Sequence, residues 1–419
     1  MKTLKLIQFV LFIFFVINIA CYGQWKIYTD QIQTGLIKGG NDTRVVCEDK
    51  SGNIWATSTK GDLLKFNEEK WTIYDSERIS LLSQTTAGEI ANAKTGSRVD
   101  WVAALDKKND WIWFASNKNT MLWNGNELLV MTGILDNENR MVFYSKKDNK
   151  NYIIKNNSLE LYSGTKVVEP KKPIIQIYSI FVDSNNKLWL GHWKGELFCL
   201  DDGKWIVYEN IKNIKNQSNA PKGVYQINLI NEDNSGNIWF CLNNCIVKYN
   251  ASEFILEQKV KGAKSFLLDS KNNIWIGYYG GILKYNNEKW QKFENNNGLD
   301  DVPRAGRIIE DEKGYIWYCA LMNLFNFKGG NIYKYDDNSW KDYPVDKKGQ
   351  INDLYLDKNG TLWCATMSAI YKFENNTWVL IRESESRTIV YQSIFEDTRG
   401  NLWFGMGSFK GRLEKYSPN

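Results

Sequence analysis

The sequence predicts an all-β chain, a single β-propeller of four-stranded blades, on three observations. A phrase recurs along its length, the recurrence has the span of one blade, and an unpaired strand at the N-terminus fits the last unit. The phrase is an Asp-containing turn, an apolar residue, Trp and a small residue. It reads EDKSGNIWAT at 48–57, DSNNKLWLG at 183–191, EDNSGNIWFC at 232–241 and DSKNNIWIG at 269–277. It returns as EDEKGYIWYC at 310–319, LDKNGTLWCA at 356–365 and EDTRGNLWFG at 396–405. A looser copy, DKKNDWIWFA, lies at 106–115, and a degraded one, DNKNYIIK, at 148–155, where Ile153 takes the Trp place.

Anchored on Trp55, Trp113, Ile153, Trp189, Trp239, Trp275, Trp317, Trp363 and Trp403, nine units share residues 24–419. That is about 44 residues each, the span of a four-stranded blade. Nine exceeds the usual range of about four to eight, so eight blades, with the unit at Ile153 absorbed as an insertion, is the alternative. Around Trp275 all four runs are legible as SFLLD, NIWIG, GILKY and KWQKFE. Asp, Asn and Gly separate them as turn residues, and β-branched and aromatic residues fill them.

The fourth run carries an aromatic pair spaced by two: WTIY at 71–74, WIVY at 205–208, WQKF at 290–293 and WKDY at 340–343. The final unit stops at GRLEKYSPN without one, whereas WKIY stands alone at 25–28. The N-terminal strand is therefore expected to complete the last blade and close the ring, covering an otherwise exposed edge. Fourteen of the 18 tryptophans fall on repeat positions and are core. Trp101, Trp111, Trp123 and Trp193 remain as candidates for ligand contact.

The first residues follow the order of a secretory signal peptide: MKTLKL, nine apolar residues from Phe9 to Ile17, then NIACYGQW. Cleavage is expected after Gly23, giving domains 1–23 (signal peptide) and 24–419 (propeller). The apolar run falls short of the roughly 20 residues of a spanning helix. Lipoprotein anchoring through Cys21 is the rival, weakened by Asn18 where a lipobox places an apolar residue. A periplasmic or extracellular location follows. Without Lys2 and Lys5, 51 of the 53 basic residues face 48 acidic ones, a balance that does not call for nucleic acid.

Six cysteines remain beyond the leader, at 47, 199, 241, 245, 319 and 364. Cys241 and Cys319 stand two residues after the repeat Trp, where other units carry Thr57, Ala115, Gly191, Gly277, Ala365 and Gly405. There cysteine packs as a small hydrophobe. CLNNC at 241–245 leaves a local disulfide open, but one histidine in the whole chain argues against zinc. The Asp turns each offer one or two carboxylates, against about six to eight oxygens for calcium. No metal or cofactor is expected.

At the level of the repeat the chain resembles the two-component regulator propeller family. GLDDVPRAGRIIEDEKGYIWY at 298–318 sets Gly-Leu, an apolar strand, the Asp turn and Trp in the family's order. Propellers of that family commonly form the extracytoplasmic sensing part of hybrid histidine kinases in carbohydrate-responsive systems. The resemblance implies a binding module and, because the family motif is structural, no catalytic residue.

Ligand contact is expected where the fourth-to-first and second-to-third strand loops surround the inner mouth, since loops on rigid scaffolds carry function. Arg44, Arg98, Arg140, Lys222, Lys264, Arg304, Arg307 and Arg387 lie at or just before predicted innermost strands. Together they would form a positive funnel for an anionic sugar or an acidic protein surface; the plainer reading is solvated strand-entry charge. GHWKGE at 191–196 and GYYGG at 277–281 add His192, Trp193, Tyr278 and Tyr279 as stacking candidates. The leading reading is a non-enzymatic binding propeller for an oligosaccharide or an envelope protein. A structural component of a surface or secretion assembly is the alternative. A glycosidase or lyase stands third, because a lyase base would have to be His192 and no spacing marks a carboxylate pair.

Overall fold

The computed structural model describes residues 24–28, 41–58, 63–67, 70–74, 102–115, 120–136, 138–145, 147–164, 177–208, 226–286, 288–294, 299, 304–321, 331–345, 350–385, 390–408 and 412–418. Residues 1–23, where a leader is expected, and Arg98, Trp101, Lys222 and Arg387 lie outside these residues, as do the side chains of Arg44 and Arg304. Every regular element described is a strand. No helix among them is long and apolar enough to cross a membrane.

The chain opens with β1 (Gln24–Tyr28), β2 (Asn41–Glu48), β3 (Ile54–Ser58), β4 (Leu63–Phe66) and β5 (Trp71–Tyr74). Then come β6 (Val102–Asp106), β7 (Trp111–Ala115), β8 (Thr120–Trp123), β9 (Leu128–Leu135), β10 (Met141–Ser145), β11 (Lys150–Lys155) and β12 (Ser158–Leu161). Five four-stranded antiparallel meanders follow. They are β13 (Ile177–Val182), β14 (Leu188–His192), β15 (Leu197–Asp201) and β16 (Lys204–Tyr208), then β17 (Ile227–Glu232), β18 (Ile238–Leu242), β19 (Ile246–Tyr249) and β20 (Phe254–Gln258). Next are β21 (Ser265–Leu268), β22 (Ile274–Tyr278), β23 (Gly281–Asn286) and β24 (Lys289–Phe293), then β25 (Arg304–Glu310), β26 (Ile316–Leu321), β27 (Ile332–Tyr335) and β28 (Trp340–Asp342). The fifth is β29 (Ile351–Leu356), β30 (Leu362–Thr366), β31 (Ala369–Glu374) and β32 (Thr377–Glu383), after which β33 (Val390–Glu396), β34 (Leu402–Ser408) and β35 (Arg412–Ser417) end the chain.

The result is a β-propeller of seven sheets, not the nine units expected from the Trp anchors nor the alternative eight. Two fusions reduce the number. The units at Trp113 and Ile153 share one seven-stranded meander, because β9 pairs with β8 on one edge and with β10 on the other. The first and last units share an eight-stranded sheet, because Asn41 and Asp42 of β2 pair with Ser408 and Gly407 of β34. In that sheet β1 pairs along its length with β35, from Gln24 opposite Ser417 to Tyr28 opposite Leu413.

The Asp turn has a dual task. Asp397 Oδ1 accepts the backbone N–H groups of Arg399 and Asn401 at 3.0 and 2.8 Å, closing the turn that Gly400 completes at φ +81°. Its Oδ2 accepts the indole N–H of Trp403 at 2.9 Å. The same carboxylate-to-indole bond, 2.8–3.1 Å, joins Asp49 to Trp55, Asp183 to Trp189, Asp233 to Trp239, Asp269 to Trp275, Asp311 to Trp317 and Asp357 to Trp363. A buried indole N–H needs an acceptor, so the turn residue fixes the core residue six places on. With both oxygens bonded to protein donors, these turns are built as scaffold.

A second device joins neighbouring units. Where the residue before the turn Asp is Glu, its carboxylate reaches the residue after the turn Asp of the preceding unit. Glu232 accepts from Ser184 N and Oγ at 2.7 and 2.6 Å, and Glu310 accepts from Ser270 N and Oγ at 2.7 and 2.5 Å. Glu396 accepts from Lys358 N at 2.8 Å, and Glu48, across the ends of the chain, from Thr398 N and Oγ1 at 2.6 and 2.9 Å.

Trp anchors pack against the next sheet: Trp55 touches Phe114 and Trp123, and Trp275 touches Tyr335 and Trp340. Trp111 and Trp123 are buried here too, which removes them as ligand candidates. The small site two residues after the Trp has a steric cause. A Cβ on Gly191 would lie 2.2 Å from Ser179 Oγ and 2.7 Å from Ile227 Cγ2, in the packing between β13 and β17. Gly191→Ala is expected to lower stability by about 1–3 kcal/mol, read as a lower urea midpoint. An unchanged midpoint would contradict close packing at that seam.

Candidate functional site

The first strand of each unit packs against its neighbours, β6 on β13 and β13 on β17. At the ends of these three strands, where the Asp turns lie, a cavity of about 610 Å³ opens. Its walls are Ala103–Leu105, Lys107 and Lys108 on one side and Ile180–Ser184, Asn186 and Glu232 on the other. Alternation along β6 leaves Leu105 outside the core at 48% exposure. Asp106 shapes the rim by accepting the N–H groups of Lys108 and Asn109 at 3.0 and 3.1 Å, which leaves both lysine side chains exposed.

Two carboxylates face the cavity. Burial raises the Asp183 carboxyl above its ordinary value, with the Glu232 charge adding to it and the Trp189 and Lys187 hydrogen bonds opposing. Perturbed acids in clefts are candidates for chemistry. Here the scaffold explains them. Asp183 holds its Trp as the other turn aspartates do, and Glu232 grips Ser184.

Among the described side chains, none of the sequence-predicted residues Lys264, Arg307, His192, Trp193, Tyr278 and Tyr279 lines this cavity. His192 ends β14 and is buried, its Nδ1 joined to Glu196 Oε2, with Phe198 edge-on to the ring at 6.2 Å. Tyr278 is likewise interior, its hydroxyl donating to Glu294, and burial with that bond raises its pKa. Beside them Trp193 is half-buried with the Lys194 ammonium 5.2 Å from its ring centre. Tyr279 is 53% exposed, and Lys264, also exposed, pairs its backbone N–H with Gly277 three residues short of the Tyr278 turn's end. These last two share one surface.

The basic residues do not act alike. Arg307 is used between sheets: its Nε lies 3.2 Å from Asp353 Oδ1 and its Nη1 donates to Leu354 O at 3.4 Å. Arg140 is not on an innermost strand. It precedes β10, buried, with Nε 3.0 Å from Asp136 Oδ2 and Nη1 2.5 Å from Glu138 Oε2. Arg44 stands on β2 opposite Thr57 of β3, Arg304 stands on β25 opposite Leu321 of β26, in a different sheet, and Arg387 lies outside the described residues.

Cysteine chemistry has no foothold among the described residues. All six cysteines are unbridged, including Cys241 and Cys245. Burial pushes the Cys199, Cys241, Cys245 and Cys319 thiols up to about 12. A nucleophile or metal ligand needs the thiolate. Among the described residues no group of three or more His, Cys, Asp or Glu is placed to hold a metal ion.

Residues 384–408 match the family described as two component regulator propeller. No curated protein matches the sequence. Among solved structures, a catalytically inactive virginiamycin B lyase from Staphylococcus aureus with quinupristin is similar at 14% identity and TM-score 0.48, over 94% of this chain and 99% of that one. YCF48 bound to a D1 peptide is similar at 12% identity and TM-score 0.47, over 95% and 98%. The extracellular domain of a protein described as a hybrid two component system from B. thetaiotaomicron is similar at 16% identity and TM-score 0.41. That match spans 91% of this chain but 57% of the other. At such identities likeness carries no function. What the match establishes is local: residues 384–408, with their turn at Asp397 and anchor at Trp403, form a two component regulator propeller repeat.

Proposed function

We propose that the chain is a non-enzymatic binding propeller acting outside the cytoplasm, and that it takes an oligosaccharide at the cavity between β6, β13 and β17. The observation that supports this most is the lining of that cavity. Apolar Ala103, Leu105, Ile180 and Val182 stand beside Lys107, Lys108, Asn186 and Ser184. Apolar surface with a few convergent polar groups suits a sugar ring, whose faces are apolar and whose edges carry hydroxyls. The two lysines favour a sugar bearing a carboxylate or sulfate. The leader-like residues 1–23 support the location. A non-catalytic role is supported by the scaffold duties of Asp183, Glu232 and His192 and by the protonated thiols.

A protein ligand is the second reading, and exposed Tyr178, Val379 and Leu380 favour it. They lie on β13 and on the outermost strand β32, apart from the cavity. The surface near Lys264 and Tyr279 belongs to the same proposal as a rival place of contact.

The test is a thermal-shift screen of residues 24–419 against neutral and anionic oligosaccharides. Ligand at about 100 times its dissociation constant stabilises by about 2.7 kcal/mol. A shift confined to the anionic sugars, and lost when Lys107 and Lys108 are both changed to Glu, is the expected result. No shift across the panel would overturn the oligosaccharide reading in favour of a protein.

A further inference from the structure

A propeller leaves a strand edge at the rim of each sheet, and such an edge pairs with another chain unless it is short, charged or covered. Most rims of this molecule are defended. β28 has three residues, and β5 and β12 have four each. β1 carries Lys26, and β24 carries Lys289 and Lys292. β16 is covered at its start by the segment leading into β10, where Met141 N donates to Gly203 O at 2.9 Å and Trp205 N to Asn139 O at 2.8 Å. β20 turns Phe254 onto Tyr208 of the preceding sheet at 5.7 Å and exposes no large apolar side chain.

β32 is the exception. At seven residues it is the longest of these rim strands, and among the described residues no strand pairs with its outer edge. Its stretch TWVLI, 377–381, carries no charge, and Val379 and Leu380 are exposed. Asn375 and Asn376, at φ +50° and +61°, form the two-residue turn of the β31–β32 hairpin and set Glu374 opposite Thr377. Such a turn is flanked by a hydrogen-bonded pair, so alternation directs the N–H and C=O groups of Thr377 and Val379 to β31 and those of Trp378 and Leu380 outwards. A bulge at Ile381 ends the stretch. Arg382, the nearest cation, does not guard it, because its guanidinium is held by Glu414.

We infer that β32 is a homodimerisation edge, at which two copies of this chain pair antiparallel about Val379. A second copy fits because the strand complements itself. With Val379 opposite its own counterpart, Trp378 stands opposite Leu380, and their outward backbone groups exchange hydrogen bonds. Thr377 then stands opposite Ile381. Counting on in that register, Asn376 meets Arg382 and Asn375 meets Glu383, so each charge meets a turn amide and no charge meets its like. The contact is two-fold symmetric and closes on itself, giving a dimer and not a filament. So short a pairing buries less than a standard interface, and the dimer depends on concentration. Neither the 610 Å³ cavity nor its ligand is needed for this inference.

The experiment is sedimentation velocity on residues 24–419 over about a hundredfold range of concentration. The parent is expected to pass from monomer to dimer, with the midpoint raised about tenfold or more in Val379→Lys and in Leu380→Lys. Both side chains are exposed, so at the dilute end these variants should melt with the parent. Val207→Lys, at the exposed apolar residue of β16, is the control and should dimerise as the parent does. Cysteine substitutions read the register. In Val379→Cys the new thiol faces its own counterpart and should cross-link the copies in oxidised glutathione, whereas in Thr377→Cys it faces Ile381 and should not. A parent monomeric throughout would overturn the inference and leave the edge to a different chain. Dimerisation unchanged in both lysine variants, equal loss in Val207→Lys, or cross-linking of Thr377→Cys as fast as Val379→Cys would overturn it too.

Discussion

Arg382→Ala is expected to lower stability by about 3–5 kcal/mol, the cost typical of removing one partner of a buried pair. Arg382, on β32, forks onto Glu414 of β35, with Nε 2.8 Å from Oε2 and Nη2 3.3 Å from Oε1. Glu414 is 1% exposed, and it also accepts from the Tyr391 hydroxyl at 3.3 Å. The guanidinium also lies 4.7 Å from the ring of Trp25, so it holds the N-terminal strand as well as the carboxylate. Removing it leaves a desolvated anion and loosens β1. Arg382→Lys keeps the charge without the planar fork and should fall between parent and alanine variant. Replacing both Arg382 and Glu414 by apolar residues of similar volume should recover most of the loss, because no charge is then stranded. Urea midpoints for the single and double variants check this; a double variant no better than Arg382→Ala would contradict it.

Asp397→Ala carries the second large effect, about 3–5 kcal/mol, because several buried donors lose one acceptor, each at about 1–3 kcal/mol with partial rehydration. The N–H groups of Arg399 and Asn401, the Asn401 amide and the Trp403 indole all converge on this fully buried carboxylate. Asp397→Asn keeps one acceptor oxygen, so it should lose less. Trp403 fluorescence should shift in Asp397→Ala even below its melting temperature. A variant with the parent's emission and midpoint would show that the turn does not position the indole.

The residues that build the scaffold were legible because each repeats. Asp, Gly or Asn, and Trp recur at fixed offsets, and the turn reading of the Asp needed only the tendency of Asp to cap its own loop. The second bond of that carboxylate, to the indole, was not read from the spacing, although the constant six-residue offset was the signal for it. The Glu-to-Ser latch was also written in the sequence, since Ser184, Ser270 and Thr398 precede units carrying Glu232, Glu310 and Glu48. It becomes visible only when units are compared in pairs around the molecule.

The number of sheets was less legible. Repeats mark units, whereas sheets are set by hydrogen bonding, and nothing in the composition of β9 says that both its edges are paired. The site was the least legible part. Arg140 and Arg307 were grouped with other cations by sequence position, but each has acidic partners that only the fold supplies. His192 and Tyr278 follow small residues in turns and read as exposed, yet Glu196 and Glu294 draw them inward. The 610 Å³ cavity is a space between strands of different units, formed by packing at the Asp-turn end of the strands. No local pattern encodes such a space.

The measurement that tests the account most directly is calorimetric titration of the best-binding oligosaccharide into three proteins: the parent chain 24–419, Leu105→Glu and Tyr279→Ala. Leu105 belongs to the cavity at the Asp-turn ends, Tyr279 to the surface at the other ends, and both are exposed enough to change without disturbing the core. The account predicts affinity about tenfold or more weaker in Leu105→Glu and unchanged in Tyr279→Ala. Equal binding by the parent and Leu105→Glu, with loss in Tyr279→Ala, would contradict it and place recognition at the opposite mouth.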